Sequence, residues 1–319
     1  MDNQAELMLL HPRSIAAVIR DGYRLYMGTF RRLFRFSWPW AVLYAIAFAL
    51  MMGNFVNNVV PVLTAISTFG YDAAILNVDQ SLTIWLTAGS CLFFALAAIA
   101  LAAHDIEMFR EHLDTGDVGH PKHWYGRWCG ASLGRLLIAA LWLLLITVVV
   151  IAAFVGIVHA ILSLGVVGSV WKSVASVVLL LLLALIVMVF LLPFSYAFLK
   201  AILDKKWSWK PPFKGYAVGL KRVGLLFATA TVVCVITSLL TLVCELPAFI
   251  IALANAEAYA GLATGDQLGL PDYIAPMTYC VFTIAGFIQA YVHLSTLFPF
   301  YYAYGSIEQQ ENERKQMSI

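Results

Sequence analysis

Six long apolar runs, at about 38–57, 81–104, 136–161, 173–199, 223–253 and 274–304, limit this chain more than any other feature. A spanning helix needs roughly 20 apolar residues at 1.5 Å each, and every run is long enough. The clearest is the fourth, uncharged from Ser173 through Tyr196, whereas the second and sixth carry polar residues near one end. The composition agrees. Of the 319 residues 62% are hydrophobic and only 12% charged, about half the charge of a soluble domain. The first run starts too late and is too long for a cleavable signal peptide, so it reads as a retained span. The ending "KQMSI" carries no lipidation signal.

Charge placement orients the runs. Of the 20 basic residues, all except Lys172 fall in the first tail, the loops after spans two and four, or the last tail. Basic loops stay on the cytoplasmic side, which predicts six spans with both termini inside. The five cysteines show no CxxC pair. They read as small buried hydrophobes, with a Cys244–Cys280 disulfide as the alternative.

A motif recurs. "LLPFSYAF" ends span four and "LFPFYYAY" ends span six, placing Pro193, Phe194, Tyr196 and Ala197 in register with Pro299, Phe300, Tyr302 and Ala303. The segments before spans one, three and five, "GYRLYMGTFRRLF", "WYGRWCGASLGRLL" and "FKGYAVGLKRVGLL", share Gly with Tyr, a later Gly, then Arg before apolar residues. The expected architecture is therefore an all-α membrane bundle of three parallel hairpin repeats. They cover about 13–113, 120–206 and 209–308, each preceded by an interfacial amphipathic helix, with a tail over 309–319, all in one integral domain. His104 takes the tyrosine position in the first copy. Pro193 and Pro299 read as helix kinks that anchor the inner ends, or as gating hinges.

On a helical wheel Arg20, Arg24, Arg31 and Arg35 lie within about 60° of one another, opposite Ile15, Val18, Ile19, Tyr26, Phe30 and Leu33. This is the pattern of a basic helix at the surface of an anionic membrane, with Ser14 as its N-cap. Trp38 and Trp40 suit the aromatic belt.

The intramembrane polar residues are few. Glu245 lies in "TLVCELPAFII" beside Pro247, where a charge is costly and a functional role competes with a hydrogen-bonded structural one. His293 has Gln289 four residues away on the same face, and His159 sits at a depth close to that of Glu245; each is a relay candidate or an interhelical hydrogen-bonding group. The stretch 104–123 holds four histidines and five acids. No zinc spacing fits it, and a solvated cytoplasmic loop explains the same letters. No GxSxG, HExxH, Walker A or dinucleotide fingerprint occurs, and nothing supports nucleic-acid binding. No catalytic residue, metal or cofactor is expected.

The basic helix leading into six spans, "SIAAVIRDGYRLYMGTFRRLFRFSWPW", resembles bacterial integral membrane proteins of the YciC-like class and the membrane domains attached to glycerophosphodiester phosphodiesterases. That resemblance implies a polytopic helical fold and no catalytic residues in the membrane part. The sequence thus points to a non-enzymatic membrane protein engaging lipid headgroups, a membrane-protein partner or a second copy of itself. The alternative is a small-molecule permease with a polar cavity. Reporter fusions after Asp79, Leu164 and Gly265 are expected to read external, and those after Asp117, Lys206 and Glu313 cytoplasmic. An odd number of crossings overturns this topology.

Overall fold

The computed structural model describes residues 9, 11–60, 80–115, 132–163, 178, 182, 190–203, 213–263, 271 and 273–317. Among these, every regular element is a helix and none is a strand. The helices are α1 (Ile15–Asn54, continued by a π-helical turn, Phe55–Val59), α2 (Gln80–Thr115), α3 (Ser132–Ser163), α4 (Phe190–Leu203), α5 (Phe213–Lys221), α6 (Val223–Ala263) and α7 (Ile274–Met317). Among the described residues four stretches are long and apolar enough to cross a membrane: Ile15–Val59, Trp85–Arg110, Val223–Ala258 and Ile274–Met317. They contain or overlap the first, second, fifth and sixth predicted runs. The described parts of the third and fourth runs include the shorter apolar helices Gly134–Val149 and Phe190–Leu203. Most of 173–189 lies outside the described residues.

α1 differs from expectation. An interfacial helix followed by a separate span was predicted, yet residues 15–54 form one helix that runs through Pro39. At 40 residues it measures about 60 Å, twice the hydrocarbon thickness of roughly 30 Å. Ser14 caps it as predicted, its Oγ accepting the Ala17 N–H at 3.4 Å. Before α6 the chain does break: α5 ends at Lys221, and the Arg222 N–H turns back to the Gly219 carbonyl at 3.1 Å. α7 also outruns its predicted span, continuing to Met317 with Gln309 donating to Glu313 one turn on at 2.9 Å.

The chain forms two compact units. The first gathers Met1–Gly28, Asp105–Val233 and Leu297–Ile319. In it the start of α1 lies against the end of α7. A Cβ on Gly22 would stand 2.7 Å from Pro299 Cα, and the Arg13 N–H donates to Ser306 Oγ at 3.0 Å. α5 meets α4 in the same way, a Cβ on Gly219 falling 2.7 Å from the Pro193 oxygen and one on Gly215 2.9 Å from Ala197 Cα. Glycine lets backbones approach this closely, as small residues do between membrane helices. Val18, Tyr196, Leu226, Ala303 and Ile307 make the buried cluster. At the end of α2, Phe109 stacks on Tyr301 at 4.3 Å, and Tyr301 Oη donates to the Phe109 carbonyl. Arg110 and Arg135 both donate to the Ile202 carbonyl, at 2.7 and 3.3 Å, supplying the last turn of α4 with donors its own backbone lacks.

The second unit gathers Thr29–His104 and Cys234–Thr296. Here α1 and α7 run antiparallel, as their contacts show: Phe34 with Tyr291, Phe48 with Phe282, and Asn54 with Tyr279. A Cβ on Gly286 would lie 2.8 Å from Phe48 and 3.2 Å from Ala45 Cα. Phe94 of α2 packs on Tyr44 and Phe48. Cys244 and Cys280 are both free thiols, so the disulfide alternative is not realised.

Adding a methyl at a tight contact and at an open one has opposite expected signs. Gly22→Ala and Gly219→Ala should each destabilise by about 1–3 kcal/mol through overpacking. Gly28→Ala, with nothing within 4 Å, should stabilise by about 0.5–1 kcal/mol through helix propensity. Thermal unfolding of the detergent-solubilised variants measures both.

Candidate functional site

Three of the expected intramembrane polar residues, Glu245, His293 and Gln289, belong to the second unit. The Nε2 atoms of Gln289 and His293, one helical turn apart on α7, are 3.1 Å from each other, within hydrogen-bond distance. Gln289 is buried and His293 is exposed, so the pair reaches from the interior to an open edge of α7. The ring of His293 lies 6.2 Å from that of Tyr44 on α1. Tyr44 is buried, stacked parallel to Phe48 and tilted against Phe94 at 5.0 Å. Glu245 of α6 lies within electrostatic range of Tyr44, and its buried Oε1 has no hydrogen-bond partner among the described residues. The hydrogen-bonded pair is thus Gln289 and His293, with the Tyr44 ring near His293 and Glu245 acting on Tyr44 only through its charge. The side chain of His159 lies outside the described residues.

In the first unit the two register-matched tyrosines meet in one place. Tyr196 belongs to the buried cluster against which Tyr302 and Tyr304 pack. Tyr196 Oη donates to Glu308 at 2.6 Å, and Lys200 reaches both Glu308 oxygens at 2.7 and 2.8 Å. Each matched ring carries a cation, Lys200 Nζ at 5.8 Å from Tyr196 and the Arg13 guanidinium at 4.9 Å from Tyr302. Pro193 and Pro299 are both buried, and the helices continue through them.

Residues 104–109 correct the expected solvated loop. α2 carries on through Thr115 and buries Asp105, Ile106, Met108 and Phe109, while His104 is buried beside Trp40 in the second unit. Asp105 is wholly inside, and neither carboxylate oxygen has a hydrogen-bond partner among the described residues. In the expected repeat register it takes the place of Ala197 and Ala303, which are also buried. Sequence inspection passed over it because a charged residue after an apolar run ordinarily marks the exit into water. No group of three or more His, Cys, Asp or Glu side chains converges among the described residues; His120 and His123 lie outside them.

The predicted arginines Arg20, Arg24, Arg31 and Arg35 are all exposed on α1; on the predicted opposite face Val18, Tyr26 and Leu33 are buried, Ile19 is half-buried, and Ile15 and Phe30 are exposed. Arg20 pairs with Asp21 at 3.2 Å. Arg24, Arg31 and Arg35 have no carboxylate partner among the described residues. Searches of protein-family models, curated proteins and solved structures return no match to this chain.

A carboxylate that is desolvated without compensating hydrogen bonds costs stability, and replacing it by an apolar side chain is often neutral or favourable. Glu245→Leu is therefore expected to leave the melting temperature unchanged or raise it. Tyr44→Ala removes a buried aromatic and should cost about 3–5 kcal/mol. A clear drop in melting temperature for Glu245→Leu would mean that the carboxylate has a stabilising partner.

Proposed function

We propose that this chain is a non-enzymatic integral protein of a bacterial inner membrane that engages anionic lipid, or a membrane-protein partner bearing similar charge, through the basic face of α1. In this reading it makes six crossings in three parallel hairpin units with both termini cytoplasmic, in the manner of the YciC-like class. The repeated Gly22–Pro299 and Gly219–Pro193 contacts support a repeated unit.

One observation carries the lipid reading. Arg24, Arg31 and Arg35 stand exposed without a carboxylate partner among the described residues, on a helix that continues unbroken into an apolar span. Exposed cations at that place favour an anionic surface by about 1 kcal/mol each. The full chain in neutral detergent should gain thermal stability when phosphatidylglycerol is added, less with phosphatidylcholine, and less again as salt rises. Arg24→Gln/Arg31→Gln/Arg35→Gln should flatten the difference between the two lipids. Equal stabilisation by both lipids, insensitive to salt, counts against the proposal.

Glu245 and His293 favour a second reading, a small-molecule permease. An acid whose buried oxygen has no hydrogen-bond partner among the described residues, in the same unit as an exposed histidine, is suited to passing a proton or a polar solute. Uptake into proteoliposomes that is abolished by Glu245→Gln would move the assignment there.

A further inference from the structure

In the second unit α1 and α7 border an open groove of about 280 Å³, lined by Val42, Ala45, Thr283, Ile284, Phe287 and Ile288. Its lining is apolar apart from Thr283, whose hydroxyl is turned back onto the Tyr279 carbonyl at 2.7 Å. Ala45 is buried and forms the floor, whereas Ile284 and Ile288 are exposed rims. A Cβ on Gly286 would already touch Ala45, so the two helices are as close as they can come beneath the groove.

The register of α1 aligns this groove with the basic residues. At 100° per residue Arg31, Arg35, Trp38, Val42 and Ala45 fall within about 80° on one face. Reading down that face, the cations come first, then Trp38, which is half exposed, then the groove. Arg35 precedes Val42 by about 10 Å along the axis and Arg31 by about 16 Å. That is the sequence of an amphiphile: charge, interfacial ring, hydrocarbon. Aromatic side chains bound one flank, Phe34 stacking on Tyr291 at 5.3 Å and meeting Phe287 edge-on at 6.4 Å. Neither arginine has a carboxylate partner among the described residues.

We infer that this groove holds an acyl chain of one anionic glycerophospholipid whose phosphate is bound by Arg31 and Arg35. The proposal rests on the lipid-binding reading above and narrows it to a single site. Charge complementarity selects the occupant: a second copy of the chain would bring its own arginines to the same place, and a zwitterionic headgroup has no net charge to set against the two cations, whereas an anionic one offsets one of them and shares its phosphate between both. Arg20 and Arg24 lie about 16–22 Å along the axis beyond Arg35 and are too far out to share the same phosphate.

Native mass spectrometry of the full chain in neutral detergent, titrated with phosphatidylglycerol or phosphatidylcholine, tests this. One phosphatidylglycerol should remain bound under conditions that strip phosphatidylcholine. Arg31→Gln/Arg35→Gln should weaken its binding about 30-fold, and Arg31→Lys/Arg35→Lys should retain most of it. Ile284→Trp changes an exposed rim, so it fills the groove without entering the core, and it should also lose the bound lipid. If Ile284→Trp keeps phosphatidylglycerol at full affinity while the glutamine variant loses it, the charged face stands and the groove assignment falls. If the glutamine variant also keeps it, both fall. A dimer that Ile284→Trp splits would assign the groove to a second copy and overturn the proposal.

Discussion

A backbone crossing hydrocarbon has no water to satisfy its amides, so it must satisfy them within itself, and the all-helical architecture among the described residues follows from that demand. Proline breaches it by removing a donor. Pro39, Pro247 and Pro299 nonetheless lie inside helices that continue past them. At Pro193 and Pro299 a glycine from another helix covers the proline's backbone. The hydrogen that replaces a side chain at Gly219 points toward the Pro193 oxygen, the kind of close Cα–H contact that only a glycine surface permits. The motif that the two prolines share is therefore one half of an interhelical fit.

The polar groups follow two opposite patterns. In the first unit Tyr196, Lys200 and Glu308 satisfy one another, and Arg110 with Arg135 supplies donors to the end of α4. Groups so paired fix helix positions. Glu245 and Asp105 instead have buried oxygens with no hydrogen-bond partner among the described residues. Burial of this kind lowers stability, and proteins that retain such groups generally use them.

Much of the helical plan was legible because hydropathy reports directly on solvent: α6 and α7 begin at Val223 and Ile274, where the predicted runs begin. The partition of α1 was legible only in part: its arginines are exposed and Val18, Tyr26 and Leu33 buried, but Ile15 and Phe30 of the predicted apolar face are exposed. What eluded inspection depends on tertiary proximity. Tyr44 looks like any aromatic in an apolar run until the His293 ring is seen near it. The pairing of Gly22 with Pro299 crosses nearly the whole chain. The letters also misled on register: the first Gly of "GYRLYMG" meets its proline, but in "GYAVG" it is the second, Gly219, that does so. The unbroken course of α1 was missed because basic-to-apolar transitions suggest a bend, although no residue between Ser14 and Pro39 forbids continuing the helix.

The seat of the α1 start on the α7 end also sets a schedule for biosynthesis. Arg13 and Ser306 are 293 residues apart, so at roughly 5–20 residues per second the first helix waits about 15–60 s for its partner to be made. Through that interval Val18, Gly22 and Tyr26, all buried in the finished protein, have no α7 to lie against. Until α7 emerges, that face of α1 is without its final partner, and it is α7 that brings α1 to rest.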